Sequence, residues 1–217
     1  MTSRTFREHL ARRVKSAHLT IEPEVADQLE VYFRLLVRWN VRVNLTALRL
    51  DEPTDDTFDR LFVEPLAAAR QVQDSWTPWF DVGSGGGSPA IPLKLVKPVL
   101  RLTMVESTAR KAAFLREAVR SLGLMDTSVE TARFEELASR PDIADTAGVV
   151  TIRAVRPDLT LLNAAARILR DRGVLLLFRP SPRAERYDGF EDASSTVLVP
   201  TQTRPAYLLT YQRSHLA

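Results

Sequence analysis

Residues 80–92, Phe-Asp-Val-Gly-Ser-Gly-Gly-Gly-Ser-Pro-Ala-Ile-Pro, carry the strongest fold signal of this chain. Four of the eight glycines fall between Gly83 and Gly87, directly after an apolar run that predicts a buried strand. Glycine tolerates positive φ and lets bare backbone approach a small molecule. Ser88 followed by Pro89 is typical of an N-cap and a first helical turn, so we expect a helix to begin there. This strand, glycine turn and helix predict a nucleotide-type ligand site rather than a flexible linker.

Two classes of ligand fit this loop. No Gly-Lys-Ser/Thr sequence follows Gly87, which excludes a phosphate-binding P-loop. Residues 85–90 satisfy the G-x-G-x-x-A fingerprint of dinucleotide-binding folds, while an Asp-x-Gly-x-Gly loop is equally typical of enzymes that use S-adenosylmethionine (SAM). Glu106 ends the next apolar run, 100–105, where an acid can accept hydrogen bonds from both ribose hydroxyls. Loop and acid predict an adenosine cofactor and leave NAD and SAM open.

The composition excludes several kinds of protein. The chain has 217 residues, 45% of them hydrophobic, which suits one core domain with a small extra unit. Its apolar stretches are too short to span a bilayer, and the first residues are polar and basic rather than a signal sequence. There is no cysteine, and the three histidines lie near the two ends, so we expect neither a disulfide nor a metal site. These features predict a cytoplasmic, metal-free protein without a membrane partner.

The positive charge is unevenly distributed along the chain. The net charge is only +3, yet residues 1–20 and 153–186 are rich in arginine. Arginine rather than lysine suits bidentate contacts with phosphate. We therefore expect both segments to contact RNA.

The order of apolar runs predicts an α/β fold with a helical extension. Residues 1–50 have helical spacing, Pro23 fits a helix start, and a further helix is expected over 58–72. After residue 79 short apolar runs alternate with helical stretches, which predicts a parallel, doubly wound sheet. The predicted strands are 79–82, 100–105, 127–131, 147–152, 173–179, 196–200 and 206–211, and the helices among them are 89–97, 108–122, 134–139 and 158–170. We accordingly assign 1–75 to an N-terminal helical extension and 76–217 to the core.

The last two predicted strands distinguish the two cofactors. No helix long enough for a crossover separates 196–200 from 206–211, so these strands should pair antiparallel. A terminal antiparallel strand on an otherwise parallel sheet is usual in SAM methyltransferases and unusual in dinucleotide-binding folds. This favours SAM.

Longer motifs give the chain a specific resemblance. They lie in residues 36–47, with the pattern Trp-Asn-x-x-x-Asn-Leu-Thr, and in 81–92, 105–115, 133–137 and 153–155. With these segments the chain resembles, over nearly its whole length, the bacterial small-subunit ribosomal RNA guanine-N7 methyltransferase G family, also called glucose-inhibited division protein B. The resemblance implies a Rossmann-like SAM-dependent methyltransferase with a mostly parallel seven-stranded sheet. It also implies SAM as cofactor, 16S ribosomal RNA or the small ribosomal subunit as partner, and a monomer.

The resemblance implies roles for individual residues as well. Gly83 and Ser88 match loop positions that hold the methionine end of SAM, with Gly85 in the same loop, and Glu106 matches the ribose-binding acid. The other implied site residues are Phe134 and Glu135 flanking the adenine, Arg153 beside cofactor and guanine, Arg133 as a second active-site arginine, and Arg179 and Arg204 as contacts to substrate RNA.

The implied chemistry fits the residues available. Guanine N7 carries an in-plane lone pair at neutral pH, so its methylation needs no base to remove a proton. The enzyme must instead hold N7 in line with the sulfonium methyl group and stabilise the charge that moves onto the purine. The lack of cysteine counts against pyrimidine C5 methylation, and the Asn/Asp-Pro-Pro-aromatic motif of amino-methylating enzymes is missing from the sequence.

Some positions depart from the family pattern. Where the family has His-x-x-Asp-Ser, this chain has Arg60-Leu-Phe-Val-Glu64, and where it has Lys-Gly after strand five, this chain has Arg179-Pro180. After Arg153-Ala-Val155 the usual Ala-Pro-Leu is replaced by Arg156-Pro-Asp-Leu. These positions are expected on the substrate side. Two alternatives follow: a SAM-dependent paralogue acting on another RNA or a small molecule, and a catalytically silent RNA-binding protein, against which the intact loop argues.

Overall fold

The computed structural model describes residues 1–153, 157–199 and 205–215. The α-helices are α1 (Ser3–Ser16), α2 (Pro23–Val43), α3 (Asp55–Phe58), α4 (Glu64–Ala68), α5 (Ala90–Val96), α6 (Ala109–Leu122), α7 (Phe134–Ala138) and α8 (Leu159–Ile168). The strands are β1 (Trp79–Val82), β2 (Leu102–Val105), β3 (Thr127–Glu130), β4 (Ala147–Arg153), β5 (Leu169–Arg179), β6 (Ser194–Val199) and β7 (Ala206–Gln212). Within these described ranges no helix is long and apolar enough to cross a membrane.

The seven strands form one sheet in the order β3-β2-β1-β4-β5-β7-β6. The pairs among β3, β2, β1, β4 and β5 are parallel, whereas β7 runs antiparallel to both β5 and β6. The predicted mostly parallel sheet with an antiparallel last strand is thereby confirmed. The strand order reverses between β1 and β4, and open α/β sheets bind ligands at the carboxyl ends of the strands at this switch point.

Helices cover both faces of the sheet. Apolar side chains of α1, α2, α4, α5 and α6 form one buried cluster with one face, including Phe6, Phe33 and Trp79. A second cluster on the other face includes Leu137 of α7 and Leu162 of α8. The N-terminal helices therefore bury their apolar side chains together with the sheet. The assignment of the domain boundary to residues 75 and 76 stays a prediction.

The helix expected over 58–72 differs from a regular α-helix. The helical run starts at Asp55, where the Thr54 hydroxyl accepts a hydrogen bond from the backbone N–H of Thr57. Residues Asp59–Val63 form a π-helical turn, and the Glu64 N–H bonds to the carbonyl of Asp59, five residues back. Pro65 follows at once and has no N–H to donate, so the regular pattern of the helix is interrupted here.

The fifth strand starts earlier than the sequence predicts. Helix α8 ends at Ile168, and β5 begins at Leu169 rather than residue 173. Leu169 is fully buried and pairs with Ala147, although the next three residues are exposed. This exposed triplet, with Arg172 at φ 56°, breaks the apolar pattern and hides the start of the strand.

Candidate functional site

Three adjoining cavities lie at the carboxyl edge of the sheet. The loop cavity, about 870 Å³, is lined by the glycine loop, residues 45–49 and the start of α6. The edge cavity, about 490 Å³, lies beyond the end of β5, and the helix cavity, about 200 Å³, lies at the start of α7. The loop cavity shares Asp56, Arg60 and Arg153 with the edge cavity, and Gly83 and Ser107 with the helix cavity. The two larger cavities are within the usual size of small-molecule sites.

The loop requires glycine for two reasons, positive φ angles and close packing against neighbouring atoms. Gly83, Gly85 and Gly87 have φ of 66°, 51° and 87°, where a side chain is strained. A Cβ on Gly87 would also lie 2.5 Å from Cδ1 of Ile91, so this glycine lets α5 pack closely. A Cβ on Gly85 would meet only the Gly83 carbonyl, at 3.6 Å. The backbone at Gly85 therefore leaves open space beside the loop cavity.

Glu106 holds the loop in place. Its Oε2 accepts a hydrogen bond from the Gly85 N–H at 2.9 Å, and its Oε1 accepts one from the Thr108 N–H at 2.8 Å. Glu106 is buried and lines the loop cavity. Since a carboxylate has about four acceptor positions, capacity for a ribose diol remains. The ribose-binding role of Glu106 stays a prediction that this geometry permits.

Asp81 offers a buried acceptor two residues before the loop. Its Oδ1 accepts a hydrogen bond from the Thr151 hydroxyl at 2.5 Å, which in turn accepts one from Trp79 Nε1 at 2.9 Å. Oδ2 is buried and has no hydrogen-bond partner among the described residues. Burial raises the pKa of Asp81 to about 6. An unsatisfied buried carboxylate oxygen is costly, and an ammonium group such as that of SAM would satisfy it, although Asp81 lines none of the three cavities.

Ser88 does not cap a helix, contrary to the sequence prediction. Helix α5 starts two residues later, with Pro89 as its N-cap. The Ser88 hydroxyl instead donates to the carbonyl of Leu61 at 2.9 Å, with the Arg60 carbonyl at 3.4 Å. Pro65 cannot supply the N–H that the Leu61 carbonyl would receive in a regular helix, so Ser88 satisfies it. Ser88 also lines the loop cavity, where its lone pairs remain available to a ligand.

The Trp-Asn-x-x-x-Asn-Leu-Thr motif shapes the wall of the loop cavity. Asn44 ends α2 in the left-handed conformation, at φ 50°. Asn40 Oδ1 then accepts a hydrogen bond from the Thr46 N–H at 2.9 Å and fixes the following residues. Leu45 is buried, Thr46 lines the cavity, and Trp39 Nε1 donates to Glu117 of α6 at 3.1 Å. The motif is thus a structural device that brings residues 45–49 over the glycine loop.

The helix cavity contains the residues expected around an adenine. Phe134 and Glu135 line it together with Gly83. Phe134 is buried, and Arg133 is exposed at the start of α7. Arg133 lines this cavity but neither of the two that Arg153 lines. The two predicted catalytic arginines are therefore not brought together, and the position of Arg133 favours a contact at the adenine end over a catalytic one.

Arg153, at the end of β4, lines both the loop cavity and the edge cavity. Its Nη1 lies 3.4 Å from Oε2 of Glu64, and both side chains are about one-eighth exposed. Its guanidinium carbon lies 5.9 Å from the centre of the Phe178 ring. Burial lowers the pKa of Arg153, an effect that Glu64 opposes, and burial raises the pKa of Glu64, which Arg153 opposes. The family resemblance implied a place for Arg153 beside cofactor and guanine, and the sequence did not reveal its carboxylate partner.

The edge cavity combines cations with flat apolar walls. Arg60 and Arg179 line it, as do the rings of Phe178 and Tyr207. Glu64 lines it as well. Arg204, the other residue predicted to contact RNA, lies outside the described residues. Neither ring has a motif that would have revealed it in the sequence, because both lie in strands whose pairing had first to be known.

The basic N-terminal helix is largely neutralised within the chain. Its ion pairs are Arg4 with Glu8, Arg7 with Asp27 and Glu30, Arg12 with Asp55, and Arg13 with Asp55 and Asp59. The contact of this helix with RNA stays a prediction, and these arginines would have to exchange or share their carboxylate partners to make it. The described residues also contain no group of three or more His, Cys, Asp or Glu side chains that could hold a metal ion.

Comparison with known proteins identifies a family. Residues 25–206 match the family model described as rRNA small subunit methyltransferase G. Proteins of that name from Roseiflexus sp. (strain RS-1) and Halorhodospira halophila are 36% and 34% identical to the chain. The matches cover 77% and 80% of this chain, and 70% and 78% of those proteins.

Solved structures share the fold. A SAM dependent methyltransferase from Aquifex aeolicus superposes with a TM-score of 0.56 at 14% identity, covering 76% of this chain and 95% of that one. An rRNA methylase from Streptococcus thermophilus superposes with a TM-score of 0.51 at 12% identity, over 69% and 93% of the two chains. These likenesses show a Rossmann-like methyltransferase fold, as the sequence predicts.

Proposed function

Because the chain belongs to the rRNA small subunit methyltransferase G family, we propose that it methylates N7 of a guanine in small-subunit (16S) ribosomal RNA. Membership makes it a SAM-dependent methyltransferase, and the shape of the site fits that cofactor. The observation that carries the proposal is that the loop cavity and the edge cavity adjoin, with Asp56, Arg60 and Arg153 lining both. A cofactor in one cavity and a base in the other can meet at Arg153.

The residues of the site can bind the cofactor and stabilise charge on the purine, which is what N7 methylation needs. SAM, when bound, supplies an electrophilic methyl group on its sulfonium. The glycine loop can approach the cofactor with its main chain. Glu106 can bond the ribose, and Asp81 can pair with the ammonium group. Arg153 can bond the guanine O6 acceptor and stabilise charge as it develops on the purine. No side chain is required to accept a proton, because N7 already carries a lone pair.

Mapping of N7-methylguanosine tests the proposal. Ribosomal RNA from a strain that lacks this protein should be missing one such nucleotide in the small-subunit RNA, and purified protein with SAM should restore it. An unchanged modification map would contradict the proposal. Incubating free RNA and assembled small subunits separately identifies which of the two is the substrate.

A second candidate is a SAM-dependent methyltransferase that acts on another RNA or a small molecule. The observation that favours it is that Arg60, Glu64, Arg179 and Pro180, which all depart from the family pattern, line the edge cavity. Methyl transfer from SAM to small-subunit RNA at a position other than guanine N7, or to no ribosomal RNA at all, would support this candidate.

The setting of the reaction is part of the proposal. We propose that the protein works in the cytoplasm as a monomer and needs no metal ion. A single species of about 24 kDa in gel filtration, together with full activity after treatment with a chelator, is the expected result.

A further inference from the structure

We propose that Glu64 recognises the Watson–Crick edge of the target guanine, by accepting hydrogen bonds from its N1–H and its N2 amino group in the edge cavity. The inference rests on the proposed function, since it requires N7 to be the atom that faces the cofactor. It assigns a specificity-determining role to a residue at which this chain departs from its family.

The side chains are arranged in the order that guanine requires. Arg153 lines both the loop cavity and the edge cavity, whereas Glu64 lines the edge cavity alone. Arg60 and Asp56 line both cavities as well, and Asp56 places a second carboxylate at this shared wall. Going outward from the loop cavity, a bound base therefore meets Arg153 before it meets Glu64. Around guanine the order of polar groups is N7, O6, N1–H and N2 amino, which is two acceptors followed by two donors. With N7 directed at the loop cavity, O6 faces Arg153 and the two donors face Glu64.

Glu64 has the capacity to accept these hydrogen bonds. Its contact with Arg153 is a single one of 3.4 Å, through Oε2, and Oε1 has no hydrogen bond within the described part of the chain. The side chain is about one-eighth exposed, so it is accessible from the cavity yet partly shielded from water. The neighbouring guanidinium favours the ionised carboxylate against the effect of burial. An ionised carboxylate accepts two parallel hydrogen bonds well.

The walls of the edge cavity suit a planar base. Phe178 and Tyr207 line it, and aromatic rings bind bases by stacking without regard to sequence. Stacking alone would accept any base, so selection has to come from a polar group. Adenine presents no donor at N1 and would leave the Glu64 carboxylate unpaired. Sites built around a hydrogen bond strongly reject analogues that lack the partner group.

Inosine provides a direct test, because it is guanosine without the N2 amino group. After the methylated nucleotide has been mapped, small-subunit RNA carrying guanosine or inosine at that position is prepared by ligation. The ratio of kcat/KM for guanosine over inosine is then measured for the wild type, Glu64→Ala and the control Glu8→Ala, which alters an exposed carboxylate on α1. We expect a ratio of about ten to a hundred for the wild type and for Glu8→Ala, the size of one hydrogen bond to a charged group.

For Glu64→Ala the ratio should fall to about one, even where overall turnover is reduced. A residue that only positions Arg153 would lower kcat for both substrates and leave the ratio unchanged, and that result would overturn the inference. A wild-type ratio near one would overturn it as well. A wild-type protein that methylates no guanosine in small-subunit RNA would instead contradict the proposed function, so the two failures are distinguishable.

Discussion

Replacing Arg153 with alanine should lower both methyl transfer and stability, through different contacts of the side chain. The side chain lines both the loop cavity and the edge cavity, next to the predicted base. Loss of one preorganised donor typically lowers turnover by about a hundredfold to a thousandfold. We therefore expect methyl transfer to fall by about a hundredfold or more, measured with saturating SAM and RNA. SAM affinity, measured by calorimetry, should fall much less.

The same substitution has a cost in folding that follows from the Glu64 contact. Without Arg153 the Glu64 carboxylate stays in a mostly buried position without its ion-pair partner, and only the weaker effect of Arg60 still favours its charge. An unpaired group of this kind costs about 2 kcal/mol, which corresponds to a fall in Tm of about 4–8 °C for a chain of this size. The lost cation also lets the pKa of Glu64 rise further. A raised carboxyl pKa favours the folded state at low pH, so the destabilisation should be larger at pH 8 than at pH 5.

A double variant distinguishes the two effects. Glu64→Gln combined with Arg153→Ala removes both charges, so most of the lost Tm should return while methyl transfer stays low. Wild-type turnover of Arg153→Ala would refute the reasoning, because it would remove Arg153 from the reaction. A double variant no more stable than Arg153→Ala would show that the ion pair does not set the stability.

Three further predictions concern the cofactor and the RNA. Gly85→Val should abolish SAM binding, because the side chain would enter the loop cavity. Gly123→Val, similarly strained at φ 61° but outside the three cavities, should retain SAM binding. Calorimetry that found NADH binding and no SAM binding to the wild type would refute the cofactor site. The Asp81 carboxyl, with its pKa raised to about 6, stabilises the folded state below about pH 4, and this contribution is lost as the pH rises through 6. Asp81→Asn should therefore gain about 3 kcal/mol on the ligand-free wild type between pH 4 and 7 in urea titrations, and a pH-independent difference would contradict the assignment. RNA affinity should fall steeply with salt, and Arg179→Ala should lower the slope by about one, while Arg12→Ala, whose charge is paired with Asp55, should not.

The parts of the fold that sequence could predict depend on local pattern. The glycine loop, the alternation of strands and helices and the antiparallel β7 each follow from neighbouring residues, and the structure confirms them. The early start of β5 was missed because exposed residues after Leu169 interrupt its apolar pattern. Pattern reasoning fails where burial is decided by a partner strand rather than by the segment itself.

The electrostatics of the site could not be predicted, because they depend on partners far apart in the chain. Arg153 and Glu64 are separated by 89 positions, and Thr151 and Asp81 by 70. The partners of the arginines in α1 could not be predicted for the same reason, since Asp55 and Asp59, which pair with Arg13, come more than 40 positions later. Charge counted along a sequence does not show which charges the fold brings together.

The π-helical turn explains how the substrate side can change while the cofactor side is kept. The turn contacts the glycine loop through main-chain carbonyls, mainly that of Leu61, which accept a hydrogen bond from the Ser88 hydroxyl. This contact does not depend on which side chains the turn carries. Pro65 keeps the Leu61 carbonyl available, because it has no N–H to donate. Arg60 and Glu64 belong to the same segment and point their side chains into the cavities. Substitutions at these two positions can therefore alter base recognition without disturbing the loop that holds SAM.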